Sequence, residues 1–420
     1  MKVKNRKYKK LINKKDYKFQ KRRKRKFLSK AFLIIIPLIF SVIILIYLIF
    51  FHKAKRPAII TDKYFCNESM KEVAERAKEF VTYSCKGDLM TTIPKKVNKY
   101  PKFSVIVPTH SNEKTIKRAV RSAQNQNFSD FEFIIIDDFS EDNTVKIIEE
   151  LAKEDRRIKI IKNEKNRGTL YSRCVGTLLS KGLYILSIDS DDMFLIHDTF
   201  YYLSEEIDKM DIDVIKFRGF ESYNQGNPID INHIRLYNNF PTNKVLYQPE
   251  LGKFGEKRCC LYMQCINAEL YKKAIDLYGK ERMNLYVTFL EDCIIHFIIY
   301  QHAKSLKLFL KIGYAHIIRR NSDSRSIIHH LANKYHIYLY EVFLEFGKHV
   351  SWAKEWIVQN VIKIMQNSDF QKTLQDIDAK NYIKNFIKKI ISNREINSKI
   401  KEELMNSSLK YNLMNKNEFN

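Results

Sequence analysis

The chain has 420 residues, enough for one large domain with extensions or for two modest domains. Its net charge of +26 would suit nucleic acid or an anionic membrane, but residues 1–30 hold 16 Lys and Arg against one acid and carry +15 of that total. The remainder is only mildly basic, which argues against a nucleic-acid-binding face over residues 101–420. Seven cysteines without a CxxC pair or a histidine at zinc spacing argue against a metal-thiolate site.

The basic cytosolic tail predicted at residues 1–30 leads into an uncharged apolar stretch, AFLIIIPLIFSVIILIYLIFF, at residues 31–51. A helix of that length spans the roughly 30 Å hydrocarbon core of a bilayer. A cleaved signal peptide would have a shorter apolar part followed by small residues, whereas the basic stretch HKAKR follows here. The sequence therefore predicts a single transmembrane anchor, and the heavier basic flank before it predicts a type II membrane protein.

Residues 52–100 are interpreted as a stem between the anchor and the next domain. Apolar residues recur at helical spacing from Met70 to Val81, which predicts a helix that packs on an apolar surface. Pro94 and Pro101 then mark the approach to a folded domain.

From Pro101 onward, short apolar runs alternate with helical periodicity. Strands are predicted at residues 103–108, 131–138, 157–162 and 183–189, with helices between them. This order is typical of an α/β domain, a Rossmann-like and mostly parallel sheet with flanking helices. The domain is predicted at residues 101–330. Residues 331–420 are predicted to form a helical C-terminal extension packed on it.

Three carboxylates, Asp189, Asp191 and Asp192, follow the fourth predicted strand. Ligands of parallel sheets bind beyond the carboxyl ends of the strands, so these aspartates should lie near Pro108–Asn112 and Asp137–Asp138. Converging carboxylates are costly unless a cation neutralises them, and oxygen ligands suit Mg²⁺ or Mn²⁺, which attract phosphate. The chain has no GxGxxG after the first strand and no P-loop, which argues against a dinucleotide-binding domain or a P-loop NTPase.

Four segments resemble, in order, the motifs of glycosyltransferase family 2, which has the GT-A nucleotide-sugar fold. They are FSVIVPTHSNEKTIKRAVRSAQNQNFSDFEFIIIDDFSEDNT, NEKNRGTLYSRCVG, YILSIDSDD and FLEDCIIHF. The resemblance covers about residues 101–325. It implies a metal-dependent inverting hexosyl- or N-acetylhexosaminyltransferase that uses Mn²⁺ or Mg²⁺ and a nucleotide sugar, most often a UDP-sugar. The acceptor would be a hydroxyl group on a glycan, glycoprotein or glycolipid.

The resemblance also implies roles at the donor site. Pro108 and Thr109 would border the nucleotide base, and Asp138 would hold the base or the ribose. Gly168 would let the backbone approach the nucleotide, and Arg173 would place a guanidinium near it. Taken alone, Asp138 also fits an Asx turn and Arg173 a solvated helix face.

For the metal, the resemblance implies that Asp189 contacts the ribose or metal-bound water and that Asp191 is a ligand. Asp192 is equally suited to capping the next helix. Downstream, in GYAHIIRRNSDSRS, His316 is a candidate metal ligand, and Arg319 and Arg320 are candidate phosphate contacts.

An inverting displacement needs a carboxylate on the acceptor side to take the proton of the attacking hydroxyl. FLEDCIIHF resembles the acidic pair of the family, which implies that Asp292 is the base and Glu291 its neighbour or an acceptor contact. Acids at a helix start are also favoured by the helix dipole alone. The family commonly has Trp and Lys where this chain has Tyr262 and Gln264, which leaves open a catalytically degenerate, membrane-tethered glycan-binding protein.

The loop after the first predicted strand bears on the type of enzyme. A nucleotidyltransferase of related fold would carry a Gly-rich basic loop after the first strand, and PTHSNEKT is not such a loop.

Nucleotide sugars do not cross membranes unaided, so a type II transferase needs a compartment that is supplied with donor. We therefore expect a single-pass protein of the Golgi or endoplasmic reticulum membrane with a lumenal catalytic domain.

Overall fold

The structure is a computed structural model, and it describes much of the chain from residue 80 onward. The described residues are 80–94, 96–223, 234–237, 244–248, 261–285, 287, 291–318, 339–346, 358–359, 361–363, 365–366, 375–393, 396 and 398–415. The predicted tail and anchor, and also Arg319 and Arg320, lie outside these residues. Within them, no helix has both the length and the apolar character needed to cross a membrane.

The described residues include ten strands that form one sheet. They are β1 (Phe103–Thr109), β2 (Phe131–Asp137), β3 (Ile158–Lys162), β4 (Tyr184–Ser187), β5 (Met193–Phe194), β6 (Val214–Tyr223), β7 (Ile234–Tyr237), β8 (Val245–Tyr247), β9 (Gln264–Asn267) and β10 (Ser305–Ile318). The main path runs β3-β2-β1-β4-β9-β6-β10-β5, with β7 paired to β6 and β8 to β10.

The first four strands form a parallel half of the sheet. β1 lies between β2 and β4 and is parallel to both, with Phe103 opposite Phe131 on one side and Tyr184 on the other. β3 adds to the outer edge of β2, again in parallel. β1 and β2 are buried along their whole length. A strand buried on both faces has a continuous apolar sequence, which explains why β1, β2 and β4 were predicted with bounds close to these.

The other half of the sheet is mixed, so the prediction of a mostly parallel sheet was wrong there. β9 is antiparallel to both β4 and β6, and β5 and β8 are antiparallel to β10. Only β6 and β10 are parallel neighbours in this half. Antiparallel strands need no crossover helix between them, and polar residues such as Lys216 and Gln264 interrupt their apolar pattern. The sequence therefore carried a weaker signal for these strands.

Helices cover both faces of the sheet. They are α1 (Ile116–Gln124), α2 (Thr144–Glu154), α3 (Thr169–Leu179), α4 (Thr199–Lys209), α5 (Ala268–Tyr278), α6 (Lys280–Met283), α7 (Glu291–His302), α8 (Ile377–Ser392) and α9 (Ser398–Lys410). Alternate residues of β1 belong to separate cores. Val105 shares one core with α1 and α2, and Ile106 shares the other with α3, α5 and α7.

The C-terminal helices pack on the second of these cores. The ring of Phe297 in α7 lies 4.1 Å from that of Phe343, centroid to centroid, and Arg282 donates a hydrogen bond to Glu345 at 2.8 Å. Buried residues of α8 and α9 belong to the same apolar cluster as α7. The described part of the predicted extension thus packs on the α/β domain, while the boundary at residue 331 stays a prediction.

Part of the predicted stem also packs on the domain. Residues 80–86 are helical, and together with residues 87–91 they form what we call the docked segment, residues 80–91. It is bonded to α1 and to the residue after it: Arg121 Nε donates to the carbonyl of Gly87 at 3.0 Å, and the amide of Met90 donates to Asn125 Oδ1 at 2.7 Å. Phe80 and Val81 are buried.

Candidate functional site

The carboxyl ends of β1, β2 and β4 meet at one edge of the sheet, as their parallel pairing requires. Thr109 lies opposite Asp137 in the register of β1 and β2. The amide of Asp138 donates to the carbonyl of Thr109 at 2.8 Å, and the amide of Ile188 donates to that of Ile106 at 3.1 Å. The edge therefore brings together the predicted donor-side residues from three strands.

Asp138 is buried and anchors the turn that starts α3. Its carboxylate accepts hydrogen bonds from Asn163 Nδ2 at 2.7 Å, the amide of Arg167 at 2.8 Å and the amide of Gly168 at 2.7 Å. Gly168 has φ +86°, a left-handed conformation that glycine adopts readily. Asp138 thus positions the loop before α3, and its contact with a base or ribose stays a prediction.

Two buried polar atoms at this edge have no hydrogen-bond partner among the described residues, Thr109 Oγ1 and Asp137 Oδ1. Buried polar atoms in native proteins are nearly always paired, so such atoms mark a position where a ligand or water would complete the bonding. The sequence motif singled out Pro108, Thr109 and Asp138 at this edge. It assigned no role to Asp137, although the DD pair placed that residue at the same strand end.

Asp189, Asp191 and Asp192 lie together in the connection between β4 and β5. Each offers a carboxylate oxygen, and these oxygens lie within 4.8 Å of one another. Asp192 is fully buried and accepts hydrogen bonds from the Tyr314 hydroxyl and from the amide of Ile317, both at 2.8 Å. The alternative that Asp192 caps the next helix was wrong, because α4 begins well beyond it and Asp192 bonds to β10 instead.

The charges of this aspartate cluster, Asp189, Asp191 and Asp192, fit a divalent cation. Burial raises the pKa of Asp192 to about 8; His316 lowers it, and Asp191 and Asp189 raise it. Burial alone would lower the pKa of His316, but Asp192 and Glu221 raise it to about 9. Mg²⁺ or Mn²⁺ would favour the ionised carboxylates. The partly exposed oxygens of Asp189 and Asp191 are the ones that would hold the metal ion.

His316 lies beside the aspartate cluster, on β10. Its Nδ1 is 3.9 Å from Glu221 Oε1, and its ring centroid is 5.2 Å from that of Tyr262. Tyr262 in turn stacks on Tyr314, with centroids 5.5 Å apart and an interplanar angle of 17°. Tyr314 and Glu221 were not singled out from the sequence. The available signal was the two-residue spacing of Tyr314 and His316, which places both side chains on one face of a strand.

Arg173, in α3, is 2% exposed and joins carboxylates from two other elements. Its Nη2 donates to Asp189, and its Nη1 donates to Asp292 and, at 3.2 Å, to Glu291. Burial alone would lower the pKa of Arg173, but Asp189 and Glu291 raise it. The alternative of a solvated helix face was wrong, because the carboxylates draw this guanidinium into the interior. Its contact with a nucleotide stays a prediction.

Glu291 and Asp292 begin α7, where the helix dipole favours acids. Their side chains are 17% and 15% exposed, so both remain accessible beside Arg173. Because the same guanidinium also bonds to Asp189, the predicted acceptor-side acids and the predicted donor-side acid belong to one hydrogen-bonded set. The sequence order implied this proximity, but Arg173 as the link was not predicted.

Gln264, where the family commonly has Lys, lies in the interior between the sheet and α7. Its amide bonds to His296 Nδ1 at 2.9 Å and accepts from the Tyr300 hydroxyl at 2.9 Å. Lys216, its register partner on β6, is also buried. A lysine is therefore present next to this position, contributed by the neighbouring strand.

Part of the α/β domain is similar to a known protein family. Residues 104–270 match the family model described as Glycosyl transferase family 2. This match spans β1 to β9 and the aspartate cluster, and it ends before α7. Over these residues, which are less than half of the chain, the sequence is similar to glycosyltransferase family 2.

The curated relatives match parts of the chain. An uncharacterized glycosyltransferase, EpsJ of Bacillus subtilis, is 27% identical over 230 residues, which are 53% of this chain and 62% of EpsJ. The GalNAc(5)-diNAcBac-PP-undecaprenol beta-1,3-glucosyltransferase of Campylobacter jejuni is 38% identical over 96 residues, 23% of this chain and 31% of that enzyme. The chain thus covers less than two thirds of the length of either relative.

Solved structures of S. aureus TarS share the fold. TarS 1–349 in complex with UDP-GlcNAc aligns with a TM-score of 0.51 at 17% identity, over 76% of this chain and 89% of the TarS chain. The complex with UDP aligns with a TM-score of 0.50 at 18% identity. At this level of identity, the likeness shows the fold alone.

Proposed function

We propose that this protein is a metal-dependent inverting glycosyltransferase that moves a sugar from a UDP-sugar to a hydroxyl group of a glycan, glycoprotein or glycolipid. One observation carries the proposal: the guanidinium of Arg173 bonds both to Asp189 and to Asp292. A sugar transfer requires the donor and the base to be held in one fixed geometry, because the attacking oxygen and leaving group must lie in line. A shared buried guanidinium supplies such a fixed geometry.

Several features support the donor class. The unpaired Thr109 Oγ1 and Asp137 Oδ1 offer hydrogen bonds at the strand edge, and the aspartate cluster fits a divalent cation. TarS has been solved with UDP and with UDP-GlcNAc, and the Campylobacter relative is named as a glucosyltransferase. These favour a UDP-hexose or a UDP-N-acetylhexosamine. A bound Mg²⁺ or Mn²⁺ would supply positive charge to the donor diphosphate.

On the acceptor side, Asp292 acts as the base in this proposal. The acceptor oxygen forms a bond to the anomeric carbon while the bond from that carbon to the diphosphate breaks. The hydroxyl proton passes to the Asp292 carboxylate, and the nucleoside diphosphate leaves with the bonding electron pair. Arg173 holds the carboxylate in place, and Glu291 borders the acceptor.

Binding of the donor is tested by titrating UDP into the full-length protein by calorimetry, with and without Mn²⁺. We expect wild-type binding to require the metal and the Asp191→Ala variant to bind about 10- to 100-fold more weakly. Asp208→Asn is the matched control, since its side chain is 63% exposed. Binding that is indifferent to Mn²⁺ and to Asp191 would contradict the metal assignment.

Catalysis is tested with Asp292→Asn. The variant should retain UDP binding and lose sugar transfer by about 10²- to 10⁴-fold, the usual contribution of a general base. Transfer at the wild-type rate would exclude Asp292 as the base. A wild-type protein that binds UDP and glycan but transfers no sugar would instead support the catalytically degenerate alternative.

We also propose that residues 31–51 anchor the protein in the Golgi or endoplasmic reticulum membrane with the catalytic domain in the lumen. The support is the sequence alone, an uncharged apolar stretch with its heavier basic flank on the N-terminal side. Protease added to sealed membranes should leave the domain after residue 51 intact. Digestion of that domain without detergent would contradict the orientation.

A further inference from the structure

The docked segment packs behind the strand that bonds to the aspartate cluster. Tyr314 and His316 face that cluster, so alternation along β10 directs Ala315 and Ile317 to the opposite face. Phe80 of the docked segment packs on that opposite face. The buried cluster formed there consists of Phe80, Val81, Met193, Leu195, Phe220, Ala315 and Ile317.

This apolar cluster is connected to the carboxylates through the backbone. Met193 directly follows Asp192 and is the register partner of Ala315. The amide of Ile317 is itself a donor to Asp192. Movement of either strand relative to the other would therefore displace Asp192 from its hydrogen-bond donors on β10.

A second connection runs through α1. Burial raises the pKa of the Cys85 thiol, and Arg118, which lies beside it in α1, lowers that pKa. The Nη2 of Arg118 donates to the backbone carbonyl of Asp191. The docked segment thus reaches the aspartate cluster at two separate points, one apolar and one polar.

We propose that the docked segment is a positioning element of the donor site. Phe80 holds β5 and β10 in place behind Asp192, and Arg118, which lies beside Cys85 of the docked segment, holds the backbone of Asp191. The inference rests on the proposed function, because it takes the aspartate cluster to be the metal and donor site. The family match begins at residue 104, so the docked segment lies outside the matched region. The catalytic unit then includes residues from 80 onward.

The test is a Phe80→Ala variant of the full-length protein, with Tyr83→Ala as the matched control. Tyr83 is an aromatic residue of the same segment, but it is 40% exposed. We expect Phe80→Ala to weaken Mn²⁺-dependent UDP binding by about 10- to 100-fold, as loss of outer-shell support does at metal sites. Tyr83→Ala should bind within about twofold of wild type. Phe80→Leu, which retains most of the apolar volume, should recover most of the affinity.

Arg118→Lys provides an independent variant that leaves the apolar cluster intact. A single ammonium does not reproduce the planar guanidinium that lies beside Cys85 and donates to the backbone carbonyl of Asp191. We expect Arg118→Lys to weaken Mn²⁺-dependent UDP binding with little change in the thermal midpoint of unfolding. A residue that only stabilised the fold would not give this combination, because its substitution would lower the midpoint.

The outcomes separate the inference from the proposed function. Variants at Phe80 and Arg118 that bind UDP and Mn²⁺ like wild type, whatever their stability, would show that the docked segment only adds stability. Wild-type protein that binds no UDP in the presence of Mn²⁺ would overturn the proposed function and this inference with it.

Discussion

The guanidinium of Arg173 is a buried positive charge that bonds to Asp189, Glu291 and Asp292. A buried ion is costly unless its partners are well placed, and removal of one partner leaves the others buried and uncompensated. The three carboxylates exceed the one cation, so the set as a whole remains negative. A negative set suits both a neighbouring divalent cation and a base that must accept a proton.

The geometry of Arg173 should matter as well as its charge. Lysine has one nitrogen and does not reach Asp189 and Asp292 in a fixed fork. We expect Arg173→Lys to lower kcat by about 10²-fold, because small displacements of a base are costly. Steady-state kinetics with a UDP-sugar would measure this, with Arg156→Lys, an exposed arginine, as the control. An unchanged kcat would contradict the positioning role.

Asp155 offers a pH test at a residue outside the candidate site. It is fully buried and bonded by Arg157 Nη2 at 2.8 Å and by Gln124 Nε2 at 2.9 Å. Burial alone would raise the pKa of Asp155, but the hydrogen bonds and charge of Arg157, with Gln124, hold it below its usual value. An aspartate whose folded-state pKa is lowered stabilises the protein above its unfolded pKa of about 3.9 and loses this contribution as the pH falls through the folded-state value.

We therefore expect Asp155→Asn to lower the free energy of unfolding by about 3–5 kcal/mol at neutral pH, the range for breaking a buried ion pair. The difference between wild type and variant should shrink below about pH 4. Urea unfolding at neutral pH and in acid would measure both values. A difference that stays constant into acid would show that the ionised carboxylate of Asp155 is not what stabilises the fold.

The sequence contained a signal for the burial of Arg173 that argued against a solvated helix face. Leu170, Arg173, Cys174 and Thr177 recur at helical spacing, and all four are buried in α3. An arginine on the apolar side of an amphipathic helix needs acidic partners in the interior. Their identity could not be predicted, because Glu291 lies 118 residues further along the chain and only the folded sheet brings it to α3.

At the scale of elements, α3 carries Arg173 and lies very close to the sheet. A Cβ added at Gly176 would lie 2.6 Å from Ile136 Cδ1 and 2.8 Å from Ile106 Cγ2. Because Gly176 has no side chain, α3 can lie this close to the strands β1 and β2. The same close approach determines how deeply Arg173, on α3, is buried.

We expect Gly176→Ala to push α3 outward. Alanine favours a helix by about 1 kcal/mol over glycine, but the clash should outweigh this and destabilise the protein by about 1–3 kcal/mol overall. Sugar transfer should fall as well, since Arg173 moves with the helix. Urea unfolding and kcat are the measurements.

The control for this prediction is Gly279→Ala. Among the described residues, no atom lies within 4 Å of a Cβ at Gly279, but its φ of +94° is unfavourable for alanine. This variant should lose about 1–2 kcal/mol of stability through the backbone alone and keep its kcat. A Gly176→Ala protein as stable and as active as wild type would contradict the close approach of α3.

The elements differ in how well the sequence predicted them. β1, β2 and β4 are short apolar runs buried by neighbours on both sides, so local pattern was sufficient. β6, β9 and β10 lie in the mixed half, where Lys216, Arg218 and Gln264 are buried in polar surroundings. Their pairing depends on contacts distant in sequence, which periodicity does not report. The aspartate cluster was predicted because it follows a predicted strand, whereas Tyr314 was not, because β10 was not.

At the scale of the whole molecule, the α/β domain and the C-terminal helices share one core. Phe297, Ile383, Phe386 and Leu404 are all buried in the same apolar cluster, although they come from three helices. The acidic pair Glu291 and Asp292 is on the helix, α7, that this core supports. The C-terminal residues therefore support the helix that carries Glu291 and Asp292.

Deletion of residues 331–420 should expose the apolar surface of α7. Exposed apolar area of this size promotes aggregation, so we expect the truncated protein to bind a hydrophobic dye and to lose its cooperative thermal transition. Removal of residues 416–420 alone is the control and should leave the transition unchanged. A truncated protein that unfolds cooperatively at the wild-type midpoint would show that the domain needs no C-terminal helices.

The hydrogen bonds of Arg173 also limit how segments could be exchanged between relatives to alter acceptor choice. Asp292 lies 119 residues after Arg173, beyond the end of the family match at residue 270. A chimera that replaces residues 261–318 would have to supply an acid that reaches the same guanidinium, or it would leave Arg173 without its partners on that side. Grafts that retain Glu291 and Asp292 and vary only the surrounding residues should fold. Grafts whose α7 has no acid that reaches Arg173 should not fold, so their acceptor specificity could not be measured.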